Sequence, residues 1–166
     1  MIGMKFLTDA MLGKLTRFLR IFGYDTIYAS DLIDHYSMNP VPDDKLNDFA
    51  VRSNRLVITK DLPFYNKIKE NAILLDGEGV YNYLNQLKQK FHLDYVFNIE
   101  KARCSVCNAT LKKVANKNSI KEFIKHETFK TYNEFFQCIN PSCQKVFWNG
   151  PHIADIIKNL KNETLY

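Results

Sequence analysis

No stretch of this chain comes near the run of about 20 apolar residues that would cross a bilayer as a helix. The opening residues, Met1-Ile-Gly-Met-Lys-Phe-Leu-Thr-Asp9, lack the uninterrupted apolar core of a secretory signal, because Lys5 breaks it at once. A cytosolic protein is expected. Nor is the chain poor in apolar residues: at 46% there is no case for wholesale disorder. It has no internal repeat beyond two short cysteine pairs. At 166 residues it can hold a core domain of about 100 residues with a small appendage. The formal charge of +5 suits a polyanionic partner, since Lys and Arg release counterions from phosphates, but it does not identify one.

Cysteine is scarce, and its placement is informative. The four lie as Cys104-Ser-Val-Cys107 and Cys138-Ile-Asn-Pro-Ser-Cys143. A reducing compartment disfavours disulfides, whereas two short-looped thiolate pairs complete a tetrahedral shell around one zinc ion. Such a shell is closed, so this zinc is expected to be structural. The second loop is wider than the standard knuckle, with Pro141 shaping its turn. The long insertion over 108–137 makes the ribbon larger than a minimal one. His152 is a competing ligand on paper, but its plainer reading is a helix-start residue packing near Trp148.

Upstream, short apolar runs alternate with helical periodicity. Strands are expected at Lys5–Thr8, Asp25–Ala29, Arg55–Thr59 and Ala72–Leu75. Helices are expected over 10–22 with Gly23 as its stop, from Asp43, from Phe64 to Glu70, and from Val80 to Phe91. The mixed stretch from Asp31 to Pro42 reads as a long loop. This alternation predicts an α/β domain on a parallel sheet. Residues 103–149 read as strand-like around the cysteine turns, with a lysine-rich middle. Ile153, Ile156, Ile157 and Leu160 mark a final amphipathic helix packing back on the α/β layer, with Asn162 to Tyr166 fraying. The expected organisation is 1–100, 101–150 and 151–166.

In an open parallel sheet, ligands bind beyond the carboxyl ends of the strands. Asp9 and Asp61 each follow an expected strand, and Asp43 opens the helix leading into the third. Three converging carboxylates repel one another, and a hard dication such as magnesium or manganese relieves that repulsion. A metal so held can activate water against a phosphodiester. Each aspartate also reads as a helix cap, so alternatives stay open. Lys14, Arg17 and Arg20 recur at steps of three and suggest a phosphate-binding face; a solvated face is the competing reading. Thr59 and Lys60 are weaker candidates for contacts near the metal.

The run Phe6-Leu-Thr-Asp9-Ala-Met-Leu-Gly13-Lys-Leu-Thr-Arg17-Phe-Leu-Arg20-Ile-Phe-Gly23-Tyr-Asp25-Thr resembles the opening of the Mut-seven C-terminal RNase family. The similarity continues through Asp43-Asp-Lys-Leu46, Ala50 and Arg55-Leu-Val-Ile-Thr59-Lys-Asp61. It resumes at Arg103–Asn108, at Cys138–Cys143 and at Val146-Phe-Trp148-Asn-Gly150-Pro-His152. The resemblance implies a PIN-like three-layer α/β fold with a zinc ribbon, and endoribonuclease activity. The family's acids map onto Asp9, Asp43 and Asp61, with Asp44 an alternative for the middle place. Two features depart from the pattern: the longer second knuckle, and a fourth acid for which only Asp76 and Glu78 are available. The expectation is a magnesium- or manganese-dependent RNA hydrolase, with the ribbon lysines and Phe147 or Trp148 holding RNA. The competing expectations are a non-catalytic module that binds RNA or a ribosomal partner, and a zinc-stabilised adaptor for protein alone.

Overall fold

The computed structural model describes residues 3–163. Four short strands, β1 (Lys5–Thr8), β2 (Asp25–Tyr28), β3 (Leu56–Thr59) and β4 (Ala72–Leu74), form a wholly parallel sheet in the order β2-β1-β3-β4. Parallel strands need crossover helices, and these are α1 (Gly13–Ile21), α3 (Asp43–Arg52) and α4 (Leu62–Lys67), with α5 (Val80–Phe91) following β4. Side chains alternate across a strand, so each strand feeds two cores. Phe6, Ile58 and Ile73 face one layer with Leu15, Leu19, Leu84 and Leu87. Leu7, Val57 and Ala72 face the other with Leu46, Ala50 and Phe64. The result is a three-layer α/β/α domain.

α1 shows how closely local sequence sets the architecture. A 3₁₀ turn at Ala10–Leu12 precedes it, so the expected 10–22 helix is part 3₁₀. It ends in a Schellman motif, with Gly23 N–H donating to Arg20 C=O and Tyr24 N–H to Leu19 C=O. Gly23 takes φ +91°, and a Cβ there would sit 2.9 Å from the Lys101 carbonyl. Backbone geometry and close packing both demand glycine.

The expected loop after Asp31 is instead a 3₁₀ turn, Ala29–Leu32, running into α2 (Ile33–Tyr36). Its Ser/Asn/His composition masked the apolar contacts of Leu32 and Ile33 with the second core.

The cysteine-bearing region holds the antiparallel strands β5 (Leu111–Lys113), β6 (Phe136–Cys138) and β7 (Val146–Phe147). Its lysine-rich insertion folds as a 3₁₀ segment, Lys117–Phe123, and α6 (His126–Thr131). Ile120 is fully buried there beside Phe135 and Val146, which anchors an otherwise polar segment. Trp148 packs on Tyr132 and Phe135 in that same cluster. α7 (Pro151–Glu163) returns to the α/β layer and inserts Ile156 into the first core. Of the segment expected to fray, Asn162 is helical and residues 164–166 lie outside the described residues. No described helix is long and apolar enough to cross a membrane.

Candidate active site and zinc centre

The chain crosses from β1 to β2 on one side and returns to β3 on the other. The direction of winding therefore reverses between β1 and β3, where an open α/β sheet leaves a crevice at its carboxyl edge. Asp9 follows β1 and Asp61 follows β3 by two residues, so both stand at this edge.

One hydroxyl ties the two acids together. Thr59, fully buried, donates to Asp9 Oδ2 at 2.7 Å and accepts the Asp61 N–H at 2.9 Å. Asp9 Oδ1 also accepts the Ala10 N–H, while its own N–H donates to the Ile58 carbonyl. Asp61 Oδ1 caps α4 by accepting the Phe64 N–H at 2.8 Å. The capping reading and the site reading thus coexist: a cap uses one oxygen of Asp61 and leaves the other open. Beneath Asp9, the buried Thr8 and Thr16 hydroxyls meet at 2.6 Å and lock β1 to α1.

Asp43 sits in the first turn of α3, half-exposed, with Lys67 Nζ 3.6 Å from its Oδ2. Asp44 is more exposed, with 76% of its side chain open, and lies 3.9 Å from Lys45. Of the two, Asp43 is the less exposed. Among the described residues, Asp9, Asp43 and Asp61 do not form a cluster of metal-chelating closeness. Lys60 bonds Glu78 at 2.6 Å and lies over the Tyr83 ring. That hydrogen bond holds the Glu78 carboxyl below its usual range. Asp76 accepts its neighbour Gly77's N–H.

Lys14 and Arg17 lie exposed on α1. Arg20 does not join them. It is 2% exposed, and its guanidinium donates to the carbonyls of Thr26, Ser105 and Val106 and to the Asp31 carboxylate. Its assignment to phosphate is therefore corrected. At 100° per residue, steps of three drift by about 60° each, which carries Arg20 off the Lys14 face and under the ribbon.

The cysteines meet as their spacing predicts. Every Sγ lies within 4.8 Å of the others, with Cys104–Cys143 at 3.7 Å and Cys107–Cys138 at 3.4 Å. A tetrahedron with metal–sulfur arms of 2.3 Å has edges of about 3.8 Å, so the quartet fits zinc and is far too open for disulfides. His152 is not part of the group. Burial pushes the Cys107 thiol up, but the Ala109 backbone N–H and the neighbouring thiols outweigh it and bring it to about 7, whereas burial leaves the Cys104 and Cys138 thiols raised. Asn108 and Gln144, each following the second cysteine of a knuckle, adopt positive φ and turn the chain.

Sequence reasoning left one functional contact undescribed. Asn108 accepts the Thr26 N–H and donates to Asp25 Oδ1, which docks the first knuckle on β2. Burial opposes ionisation of Asp25, yet Arg55, Asn108 and Arg103 outweigh it and hold its carboxyl below the usual value. A strand-start aspartate with two distant arginines offers no local spacing to read.

No curated protein and no solved structure matches the chain. A family model described as the Mut7-C RNAse domain matches residues 4–160, from the first strand to the last helix. With the sheet, the strand-end acids and the cysteine quartet all inside that span, the chain belongs to the Mut7-C RNAse domain family.

Proposed function

We propose that this protein is a divalent-metal-dependent endoribonuclease. The observation that carries the reading is the anchoring of Asp9 and Asp61 on the single Thr59 hydroxyl, at the point where the sheet reverses its winding. Family membership points to nuclease chemistry and to RNA as the substrate.

Asp9 and Asp61 supply hard oxygen donors, and Asp43 joins them once its side chain leaves Lys67. This donor set suits magnesium or manganese. Bound there, such an ion supplies charge stabilisation on the phosphodiester oxygens and a more acidic water. Thr59 fixes the orientation of the Asp9 carboxylate and holds the backbone at Asp61. Lys14 and Arg17, exposed on the helix that starts beside Asp9, neutralise the RNA backbone. The exposed ribbon lysines, Lys112, Lys113 and Lys121 among them, extend that attraction. The zinc closes the ribbon and takes no part in cleavage.

A second reading is an RNA- or ribosome-binding module on a nuclease fold without catalysis. The Lys60 pairing of Glu78 favours it, because that pairing spends one of the two candidates for a fourth acid. Cleavage of a labelled RNA, with and without manganese, separates the two. Wild type cuts only with the metal, while Asp9→Asn and Asp61→Asn lose at least about a hundredfold in rate yet keep RNA affinity. Metal-dependent cleavage absent from wild type would leave the binding module.

A further inference from the structure

The 3₁₀ segment of the lysine-rich insertion ends with an aromatic ring in solvent. Phe123 is 53% exposed, and no other Phe, Tyr or Trp among the described residues is an exposed one. The same segment buries Ile120 fully, and Ile124 packs against that cluster, so the core takes the flanking apolar residues and leaves this ring outside. Charge collects at the same place. From Lys112 to Lys130, six lysines stand against two glutamates, so this segment carries four of the chain's five net positive charges. Two of the lysines are used within the fold. Lys113 pairs with Glu134, and Lys117 lies over the Phe129 and Phe135 rings, at 4.6 and 5.7 Å, which ties the 3₁₀ segment to α6. Lys121 and Lys125 are exposed and form no ion pair among the described residues. Each sits two residues from Phe123, a span of at most about 7 Å, so all three side chains spring from one short stretch of surface. Glu122 is the one acid in that stretch, and the local balance stays positive.

We infer that this insertion is a docking platform for single-stranded RNA, with Phe123 stacking on an unpaired base and Lys121 and Lys125 holding the neighbouring phosphates. The inference rests on RNA as the substrate in the proposed function, but it needs no metal at the acidic edge. Every base has a π face, so stacking on an aromatic ring tolerates any sequence while lysines track the backbone. In a duplex the bases are already paired and stacked, and the ring finds no free face. The platform thereby selects unpaired RNA rather than particular bases. Phe147 and Trp148, the aromatics expected for this role, are only partly exposed, and Trp148 is occupied by Tyr132 and Phe135. An anionic membrane would also attract the lysines, but it needs a continuous apolar face. Phe123 is the single exposed large apolar side chain of the insertion, with the exposed Ser119, Lys121 and Glu122 near it in the chain.

Fluorescence anisotropy on the zinc-loaded full chain tests this, with no magnesium or manganese added so that the RNA stays whole. A labelled oligouridine is compared with an RNA duplex of equal length. Phe123→Ala is expected to weaken the oligouridine about tenfold and to leave the duplex within about twofold. Phe123→Leu, still apolar but without a π face, loses as much, while Phe123→Trp keeps wild-type affinity. Lys121→Gln and Lys125→Gln each lower the slope of log affinity against log salt by about 0.7 on the single strand. The ring is exposed, so all three Phe123 variants melt with wild type and a loss of binding is not a loss of fold. No oligouridine binding by wild type, unchanged affinity in Phe123→Ala, or an equal loss on duplex and single strand overturns the platform. So does Phe123-dependent binding to phosphatidylserine vesicles in place of RNA, which would make this surface a membrane contact. If wild type cuts no RNA with manganese while the Phe123 dependence holds, the endoribonuclease proposal fails and the platform stands. If it cuts RNA and Phe123→Ala binds like wild type, the platform alone fails.

Discussion

Replacing Arg20 with alanine should destabilise rather than disarm the protein. The guanidinium meets three backbone carbonyls, Thr26 at 2.8 Å, Val106 at 2.9 Å and Ser105 at 3.2 Å, and the Asp31 carboxylate. Each carbonyl left part-buried without its donor costs about 1 kcal/mol. The Asp31 pair adds less than about 1 kcal/mol, because the Asp31 side chain is 31% exposed and screened. The sum, about 3–4 kcal/mol, agrees with the usual cost of breaking a buried ion pair. For a chain of this size it lowers Tm by about 6–16 °C. Arg17→Ala, on the exposed face of the same helix, should change stability by less than about 0.5 kcal/mol and weaken RNA binding instead. Calorimetry and a salt-controlled RNA binding assay, run on both variants, separate the roles. The reasoning is refuted if Arg20→Ala melts with wild type while losing RNA affinity.

Thr59→Val removes the hydroxyl shared by Asp9 and Asp61 but keeps the side-chain volume. Cleavage should fall by about tenfold, the usual effect of losing a partner that orients a ligand, measured as kcat/KM at saturating manganese. Stripping zinc with a chelator should abolish hydrogen-exchange protection across β5–β7 first, because ligation energy is folding energy for so small a module. It should also lower protection at Ser105 and Val106, whose carbonyls face Arg20; intact protection after metal loss would contradict a structural zinc. Asp25 is more acidic folded than unfolded, so the stability it contributes is present above its ordinary value of 3.8. That contribution fades as pH falls through the lower folded value. Tm should therefore drop more steeply below about pH 4 in wild type than in Asp25→Asn.

The parallel sheet was legible because its signals are local. Lys5–Thr8 and Arg55–Thr59 are short apolar runs bounded by charge, and α5 spans Val80–Phe91 as its periodicity indicates. Spacing within single turns likewise exposed the cysteine quartet, since each knuckle is a local unit and only their meeting is long-range. The polar docking network was not legible. Arg20 lies 85 residues before Ser105 and Asn108 lies 83 after Asp25, so nothing near either residue marks the contact. Arg20 was misread for a second reason: burial of a charge depends on partners that periodicity cannot supply. The lysine-rich insertion, read only as a polar middle, folds around one fully buried residue, Ile120, that its composition does not mark. At the acidic edge, sequence placed Asp9 and Asp61 at strand ends, but only the three-dimensional structure reveals Thr59 as the residue that joins them.

Anomalous diffraction from a manganese-soaked crystal tests the central claim most directly. The account predicts a single strong peak within about 2.5 Å of carboxylate oxygens from both Asp9 and Asp61, with Asp43 turned away from Lys67 toward it. Manganese bound elsewhere, with Asp9 still held by Thr59 and the Ala10 N–H and Asp61 serving only α4, would contradict it.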